Sequence, residues 1–213
     1  LNKPMILYPL ETLKYFGIKD VLIVSGGEHI GGFAEFLGDG SKFEMDFTYK
    51  VQKEAGGIAQ ALGLAKDFTL NDKILAILGD NVYENEQFKN NNGLFGDECT
   101  LFLKRLNDIE RVKRFGVATI KDDKIVGIEE KPRKPKSNLV VTGLYSYPNS
   151  VFDVIKDLKP SGRGELEITD VNNFYIRNNH CDYRILNGFW SDAGTPESLA
   201  DCTQWAWQKM KNG

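Results

Sequence analysis

Apolar and polar positions follow two different periods along the first half of the chain. Short runs of β-branched and aliphatic residues predict buried strands, at residues 20–25, 46–52 and 73–79. Stretches with apolar residues three and four positions apart predict helices, at residues 4–16, 29–37, 57–67 and 84–89. Because strands and helices alternate, we expect an α/β fold with a mixed, mostly parallel sheet and helices on both of its faces.

The pattern changes after residue 98, where strands follow one another directly. They are predicted at residues 99–103, 116–120, 124–128 and 140–147, and the turn Lys121-Asp122-Asp123 joins the second and third into a hairpin. Helices are predicted at residues 150–158, 166–177 and 196–211. Since no low-complexity linker, charge block or repeat divides the chain, we predict one domain over residues 1–213.

Composition argues against several classes of protein. The 213 residues include 41% hydrophobic and 27% charged side chains, which suits a packed core under a solvated surface. The net charge of −3 lacks the basic excess of nucleic-acid-binding proteins. The apolar runs are far shorter than a bilayer span, and no signal peptide is visible. Cys99, Cys181 and Cys202 lack metal-ligand spacing and indicate reduced thiols, so we expect a cytoplasmic protein that binds neither nucleic acid nor membrane.

Two aspartates far apart in sequence come at the ends of apolar runs. Asp80 follows the run at 73–79, and Asp192 closes the run at 183–191. We interpret both runs as buried parallel strands, whose carboxyl ends meet at the sheet edge where open α/β sheets bind ligands. Two carboxylates meeting there would hold a divalent cation, usually Mg²⁺, over phosphates. The alternative for each aspartate alone is a turn or helix cap.

Other segments are ambiguous when taken singly. Gly56 and Gly57 would let a flat ligand approach the backbone, and Gln52 offers a donor and an acceptor to a base edge, but a tight strand-to-helix turn needs the same glycines. Glu130 and Lys131 end a predicted strand, where charged residues commonly form a solvated face. The acidic residues in segment 163–170 suit the start of a helix without any substrate.

Two further features receive no site role. The glycines of segment 26–32 lack the Gly-Lys-Ser/Thr ending of a phosphate loop, so we interpret that segment as a strand–helix turn. His29 and His180 have no partners spaced for a catalytic triad or a metal site.

Taken together, nine segments in register along the chain resemble the sugar-phosphate nucleotidylyltransferases. They are residues 3–6, 49–52, 57–61, 78–81, 114–117, 129–132, 141–145, 163–170 and 192–195. The segment at 163–170 is most similar to that of the members that join dTTP to glucose 1-phosphate. The resemblance implies a Rossmann-like sheet with a sugar-binding insertion, divided into residues 1–97 for the nucleotide, 98–188 mainly for the sugar phosphate, and 189–213 for a metal-binding loop and a final helix.

The resemblance also implies roles for particular residues. Gln52 and Gly57 match positions that read the pyrimidine. Asp80 and Asp192 match the metal-binding pair, Asp80 also contacting the nucleotide. The positions that hold the sugar 1-phosphate are matched by Gly116, Glu130, Lys131 and Val141. By this resemblance Asp80, Asp192 and Lys131 would be the catalytic residues.

The chain departs from the family pattern in three places. Relatives begin with a strand and a Gly-Gly-x-Gly-Thr-Arg loop that cradles the triphosphate, then a Lys; neither is in the sequence. We expect the intact protein to have them, and a chain complete from Leu1 to be nearly inactive. Phe115 stands where Tyr is common, so a hydroxyl contact is missing. Longer relatives continue into a region that binds a regulatory nucleotide, so the resemblance implies a short form without that site.

The resemblance implies an Mg²⁺-dependent, homo-oligomeric enzyme. It would join dTTP and glucose 1-phosphate to give dTDP-glucose and pyrophosphate, for deoxysugars such as rhamnose. Two alternatives stay open: a UTP-dependent or other sugar-1-phosphate nucleotidylyltransferase, and a catalytically silent sugar-nucleotide-binding protein. Thymine and uracil differ by one methyl group, which is worth only about 1–3 kcal/mol in an apolar pocket.

Overall fold

The computed structural model describes residues 1–89 and 98–212 of the chain. The helices in these ranges are α1 Leu7–Tyr15, α2 Gly27–Leu37, α3 Ile58–Gly63, α4 Lys66–Thr69, α5 Ile109–Val112, α6 Val151–Asp157, α7 Ile168–Arg177 and α8 Pro196–Asn212. The strands are β1 Asp20–Gly26, β2 Asp46–Gln52, β3 Ile74–Ile77, β4 Asn81–Tyr83, β5 Cys99–Arg105, β6 Gly116–Lys121, β7 Lys124–Glu130, β8 Leu139–Tyr147, β9 Cys181–Leu186 and β10 Trp190–Asp192. Short 3₁₀ helices lie at Ser41–Phe43 and Asn85–Phe88.

Most predicted elements are present, with three that differ in shape. The run predicted as one strand at 183–191 divides into β9 and β10. The helix predicted at 57–67 divides into α3 and α4, because the backbone N–H groups of Leu64 and Ala65 bond three residues back and tighten the chain after Gly63. The helix predicted at 84–89 is a single 3₁₀ turn. The predicted boundary at residues 97 and 98 borders segment 90–97, which lies outside the described residues.

The main sheet is built around β8, whose nine residues are all buried. Its strands run in the order β7, β6, β8, β5 and β9, and β3 also pairs with β8. Side chains of β5 alternate between two cores. Leu101 and Leu103 pack with residues of α6 and α7, and Phe102 packs with Val140 and Trp190 on the opposite face. Each fully buried side chain of this size stabilises the fold by about 1.5–3 kcal/mol, so the strands form a firm scaffold.

Two strand pairs lie beside this sheet. β1 and β2 are parallel, from Asp20 opposite Asp46 to Gly26 opposite Gln52, and α2 packs against them. β4 and β10 are antiparallel. Their pairing brings a segment near residue 80 against one near residue 192.

The α/β fold with a mixed sheet is confirmed, but the expected predominance of parallel strands is wrong for the described residues. Only β1–β2 and β5–β9 are parallel among the strand pairs there. In particular, β3 pairs antiparallel with β8. The periodicity of apolar residues reports which faces are buried, and the direction of the neighbouring strand does not affect it. Among residues 1–89 and 98–212, the helices are too short or too polar to cross a membrane.

Candidate active site

The structure brings Asp80 and Asp192 together through the short β4–β10 ladder. Asp80 lies in the turn just before β4, and Asp192 is the last residue of β10. The ladder places Asp192 opposite Asn81, and the backbone N–H of Ala193 donates to the carbonyl of Asp80 at 2.8 Å. The predicted convergence of the two aspartates is therefore present, but its predicted cause is wrong. They meet at the end of an antiparallel pair, and not at the ends of parallel strands.

Gly194 marks the point that both carboxylates face. A Cβ atom added to this glycine would lie 3.1 Å from Oδ2 of Asp192 and 3.5 Å from Oδ2 of Asp80. The two oxygens are therefore separated by at most the sum of these distances. Any residue larger than glycine would place a side chain against both of them, so the glycine keeps the space beside the pair open.

Asp192 is buried and has a cationic partner. Nη2 of Arg114 donates to Oδ2 of Asp192 at 2.8 Å, and Nη1 donates to Oγ1 of Thr195 at 3.4 Å. The other carboxylate oxygen, Oδ1, is buried and accepts no hydrogen bond from the described residues. A buried polar atom without a partner costs about 1–3 kcal/mol, and more when it is charged. Such an atom in a carboxylate marks a place where a cation would be stabilised.

Asn81 fixes the orientation of Asp80 and was not among the residues that sequence reasoning selected. Its side-chain oxygen accepts from the backbone N–H of Gly143 at 3.0 Å, the indole of Trp190 at 2.7 Å and the hydroxyl of Tyr83 at 3.2 Å. Its amide nitrogen then donates to Oδ1 of Asp80 at 2.8 Å. Oδ2 of Asp80 is left for the space beside Gly194. A buried asparagine in the short apolar strand Asn81–Tyr83 is the signal that could have found it.

The turn after β2 holds Gln52 and Gly57 close together. Nε2 of Gln52 donates to the carbonyl of Gly57 at 3.1 Å and to Oε1 of Gln60 at 2.8 Å. Gly57 has φ +96°, and an added Cβ would lie 2.4 Å from the carbonyl oxygen of Leu166. This glycine is therefore required by the close passage of segment 163–170, a structural reason beyond the expected approach of a base.

Gly116 and Glu130 lie opposite each other at the ends of β6 and β7. A Cβ on Gly116 would lie 3.3 Å from Oε2 of Glu130 and 3.4 Å from Oγ1 of Thr169. The Thr169 hydroxyl donates to that same carboxylate oxygen. Thr169 opens α7 and was missed as a single residue, although its segment was recognised. Gly116, Glu130 and Thr169 therefore form a polar surface at the strand ends, the Gly116–Glu130 wall, on which glycine leaves room beside the carboxylate.

Two cations border this wall. Lys131 has a left-handed backbone, φ +45°, fixed by its N–H bond to the carbonyl of Phe115 at 3.1 Å, and its Nζ lies 3.9 Å from Glu130. Arg163 makes a two-pronged pair with Glu167, with Nη2 at 2.9 and 2.8 Å from the two carboxylate oxygens. Burial opposes ionisation of Glu167, but hydrogen bonds from Ser161 and Arg163 outweigh it and lower the pKa of that carboxyl.

Val141 and Tyr145 are buried on β8 behind these groups. Val141 belongs to the core cluster that also contains Ile128 and Ile168. In sequence, Ile128 comes two residues before Glu130, and Ile168 comes directly before Thr169. Burial raises the pKa of the Tyr145 hydroxyl, and the nearby charges of Glu130 and Asp80 raise it further. Arg114 bonds Asp192 and lies two residues before Gly116, which places the aspartate pair near the Gly116–Glu130 wall. The backbone of Leu166 joins the Gly57 turn to it through bonds to Gly56 and Ala59, of 2.7 and 3.2 Å.

The chain is similar to known proteins along almost its whole length. A family model described as nucleotidyl transferase matches residues 1–208. The glucose-1-phosphate thymidylyltransferase of Neisseria meningitidis serogroup A is 40% identical over 217 residues, 99% of this chain and 74% of the relative. The protein of the same name from Mycolicibacterium smegmatis is 35% identical, over 95% of this chain and 71% of the relative.

Solved structures show the same similarity. A Bacillus anthracis protein named as a glucose-1-phosphate thymidylyltransferase, crystallised with sucrose, is 46% identical with a TM-score of 0.85 over 95% of this chain and 82% of that chain. UDP-glucose pyrophosphorylase bound to UDP-glucose has a TM-score of 0.79 over 98% of this chain and 88% of that chain. At 20% identity it supports the fold alone. The predicted resemblance is confirmed: the chain belongs to the nucleotidyl transferase family of enzymes.

Proposed function

We propose that this enzyme transfers a thymidylyl group from dTTP to glucose 1-phosphate, releasing pyrophosphate and forming dTDP-glucose for deoxysugar synthesis of the dTDP-rhamnose type. The proposal depends on one observation: Asp80 and Asp192 face the same point beside Gly194. This pair lies near the Gly116–Glu130 wall, because Arg114, which bonds Asp192, comes two residues before Gly116. The names of the relatives from Neisseria meningitidis and Mycolicibacterium smegmatis support the choice of substrates.

The reaction needs little proton transfer from the protein. The second pKa of a phosphate monoester is about 6, so the sugar phosphate is already an anionic nucleophile near neutral pH. It attacks the α-phosphorus of dTTP in line and expels pyrophosphate. The barrier lies in bringing two polyanions together and in the charge that grows on the α-phosphoryl oxygens. Positioning and electrostatic stabilisation by this site are therefore the expected sources of catalysis.

The carboxylate pair suits Mg²⁺. Asp80 and Asp192 offer hard oxygen ligands, and Oδ1 of Asp192 is buried without a partner among the described residues. No third His, Cys, Asp or Glu forms a metal-binding group with them in that part of the chain. Mg²⁺ commonly takes one or two carboxylates and completes its shell with water and substrate phosphates, which fits a pair. When bound, Mg²⁺ supplies charge neutralisation at the phosphates.

Lys131 and Glu130 divide the recognition of glucose 1-phosphate. The Lys131 ammonium is a point charge at the end of β7, where it neutralises the sugar phosphate. Oε2 of Glu130 faces Gly116 and is held by Thr169, so this carboxylate is fixed to accept sugar hydroxyl groups. Gly116 leaves room for the sugar, and Val141 packs behind it in the core.

Gln52 and Gly57 read the base. Both hydrogens of the Gln52 amide are directed to Gly57 and Gln60, so its oxygen is the group left for a ligand. An amide oxygen accepts from the N3–H of thymine or uracil, whereas cytosine has an acceptor at N3. This arrangement selects against cytosine and leaves the thymine methyl group to other contacts.

The same proposal includes a cytoplasmic homo-oligomer. Leu199, Trp207 and Met210 are exposed apolar side chains on α8, and Trp207 is 57% exposed. Exposed apolar side chains of this size favour a contact with a second subunit. Light scattering coupled to size exclusion is the measurement, and a strictly monomeric mass would contradict this part of the proposal.

A nucleotide panel tests the function. Pyrophosphate release is measured with glucose 1-phosphate and Mg²⁺, using dTTP, UTP, CTP or GTP, on protein whose N-terminus has been verified by intact mass. We expect the highest kcat/KM with dTTP, and CTP to be poor because of Gln52. A preference for UTP would favour a uridylyl-transferring enzyme instead.

The catalytically silent alternative makes a different prediction. It requires calorimetric binding of dTDP-glucose without pyrophosphate release in the presence of Mg²⁺, dTTP and glucose 1-phosphate. Turnover with any of the four nucleotides excludes it.

A further inference from the structure

A cationic side chain of the protein, Arg114, already contacts the carboxylate pair. The Arg114 guanidinium lies 2.8 Å from Oδ2 of Asp192, the oxygen that also faces Oδ2 of Asp80 across the space beside Gly194. The side chain of Asp192 is only 10% exposed, so its charge is poorly solvated and depends on this partner. A divalent cation shared by the two aspartates through their Oδ2 atoms would approach the same oxygen as Arg114, and Oδ1, without a partner among the described residues, would add its negative charge on the same carboxylate.

The segment from Ser191 to Thr195, which contains Asp192 at the end of β10, is held by two arginines with different partners. Arg114 bonds Asp192 and Thr195. Arg111 bonds the hydroxyl of Ser191 and the carboxylate of Asp201, and it is paired away from the aspartate pair. Both arginines therefore fasten this segment, but Arg114 is the one that contacts the candidate metal ligand.

We propose that Arg114 is a positioning residue for the carboxylate pair. It holds Oδ2 of Asp192 when no cation is bound, and it shares that oxygen, at a cost in cation affinity, when a cation binds. The inference rests on the proposed role of Asp80 and Asp192 as metal ligands. It adds a regulator of their affinity, which the resemblance to the family did not assign.

The net charge of the site determines in which form it binds a metal ion. Two carboxylates and one guanidinium carry a net charge of −1, which is too little to hold a free divalent cation tightly against its hydration. The triphosphate of the nucleotide supplies the missing negative charge. The site is therefore expected to bind the free cation weakly and its nucleotide complex more tightly, with Arg114 keeping Asp192 oriented until the complex arrives.

Binding of Mn²⁺ to the nucleotide-free protein, followed by electron paramagnetic resonance, tests the inference. Arg114→Gln removes the competing charge, so we expect Mn²⁺ to bind about fivefold more tightly than to the wild type, the size of one partly exposed charge pair. The same variant should lose kcat more than it changes KM for glucose 1-phosphate, because Asp192 loses its orientation. A purely structural role would not tighten metal binding.

Arg111→Gln is the matched control. It removes a guanidinium that bonds Ser191 and Asp201 but not the carboxylate of Asp192, so we expect the Mn²⁺ affinity of the wild type. Equal tightening by both variants would overturn the proposal, since the effect would then be general charge. Unchanged or weaker binding by Arg114→Gln would also overturn it.

Asp192→Asn separates this inference from the proposed function. Loss of Mn²⁺ binding supports the site. Binding equal to the wild type would instead refute the metal pair itself. Should Arg114→Gln fail to fold, Arg114→Met replaces it: it keeps an aliphatic side chain of similar length without the charge, so we expect the same tightening of about fivefold. No tightening in that variant would overturn the proposal.

Discussion

The two carboxylate oxygens of Asp80 face different groups, and the hydrogen bond from Asn81 fixes this orientation. Oδ1 accepts from the Asn81 amide, whereas Oδ2 faces Asp192. The amide cannot turn around, because its oxygen accepts three donors. Asp80 is exposed, and an exposed carboxylate without such a bond would rotate freely; the bond from Asn81 keeps Oδ2 directed at the space beside Gly194. Preorganisation of this kind is what electrostatic catalysis requires.

Asn81→Ala should therefore damage both stability and catalysis. Gly143 and Trp190 would keep buried donors without their acceptor, and each costs about 1–3 kcal/mol. We expect the free energy of unfolding, measured in urea, to fall by about 3 kcal/mol or more. Tyr83→Phe removes only the longest of the three bonds and is the matched control, with an expected loss of about 1 kcal/mol. Equal losses from the two variants would refute the role of Asn81 as a hub.

Sequence reasoning found the charged residues of the site but not the neutral ones that orient them. Asp80, Asp192, Glu130 and Lys131 were recognisable because their charges end apolar runs or match family motifs. Asn81 owes its role to partners more than sixty residues away, such as Gly143 and Trp190. A single sequence does not show which residues meet over that distance.

At the scale of elements, a glycine joins the turn after β2 to the segment before α7. Gly57 has a left-handed backbone, and its missing side chain admits the carbonyl oxygen of Leu166. The backbone N–H of Leu166 returns a bond to Gly56 at 2.7 Å. The turn that follows Gln52, the proposed base-binding residue, is thus tied to the segment that carries Arg163 and Thr169.

Gly57→Ala tests this contact. The new Cβ would meet backbone at 2.4 Å in a strained conformation, so we expect the free energy of unfolding to fall by about 1–3 kcal/mol. Gly31→Ala is the control, because nothing lies within 4 Å of its added Cβ inside α2. It should stabilise the protein by about 0.4–1 kcal/mol. Similar effects at both positions would contradict the account.

The turn between β9 and β10 is held by side chains from other elements. Glu84 accepts from the backbone N–H of Phe189 at 3.0 Å, and Lys104 donates to the carbonyl of Gly188 at 2.6 Å. Hydrogen bonds from Lys209 and from the Phe189 backbone lower the pKa of the Glu84 carboxyl. Asp192 follows three residues after Phe189, so this turn fixes the start of the strand that presents it.

Because its folded-state pKa is lowered, ionised Glu84 stabilises the protein above its unfolded pKa, near 4.3, and this stabilisation is lost as pH falls through the folded value. Glu84→Gln should lower Tm at pH 7, and the difference from wild type should shrink at about pH 3. Glu86→Gln, a more exposed partner of Lys209, is the control and should change Tm little. A Tm difference for Glu84→Gln that does not change with pH would contradict the assignment.

At the scale of the whole molecule, the class of fold could be predicted but the strand directions could not. The alternation of helices and strands identified the α/β class, and segment β2 was predicted at its observed bounds. The antiparallel pairing of β3 with β8 joins residues about seventy positions apart. Direction is set by that long-range pairing. The strands expected before the two aspartates are present as β3, which is antiparallel to β8, and β9, which is parallel to β5, but the aspartates themselves meet through the β4–β10 ladder.

Because of this ladder, the candidate site forms only when distant parts of the chain have packed together. Asp80 comes from the first half of the chain and Asp192 from its end, and Arg114 reaches Asp192 from the middle. Glu130 and Asp80 both act on Tyr145 of the central strand. The aspartate pair and the Gly116–Glu130 wall therefore both depend on β8 and its neighbours.

The most direct test is a double-mutant cycle in kcat for pyrophosphate release with dTTP, glucose 1-phosphate and Mg²⁺, using Asp80→Asn, Asp192→Asn and the double variant. Each single variant should keep its fold and lose about 10²-fold or more in kcat. If the two carboxylates hold one cation, the double variant should be about as slow as the slower single variant. Losses that multiply, or a single variant within a few-fold of wild type, would contradict the shared site.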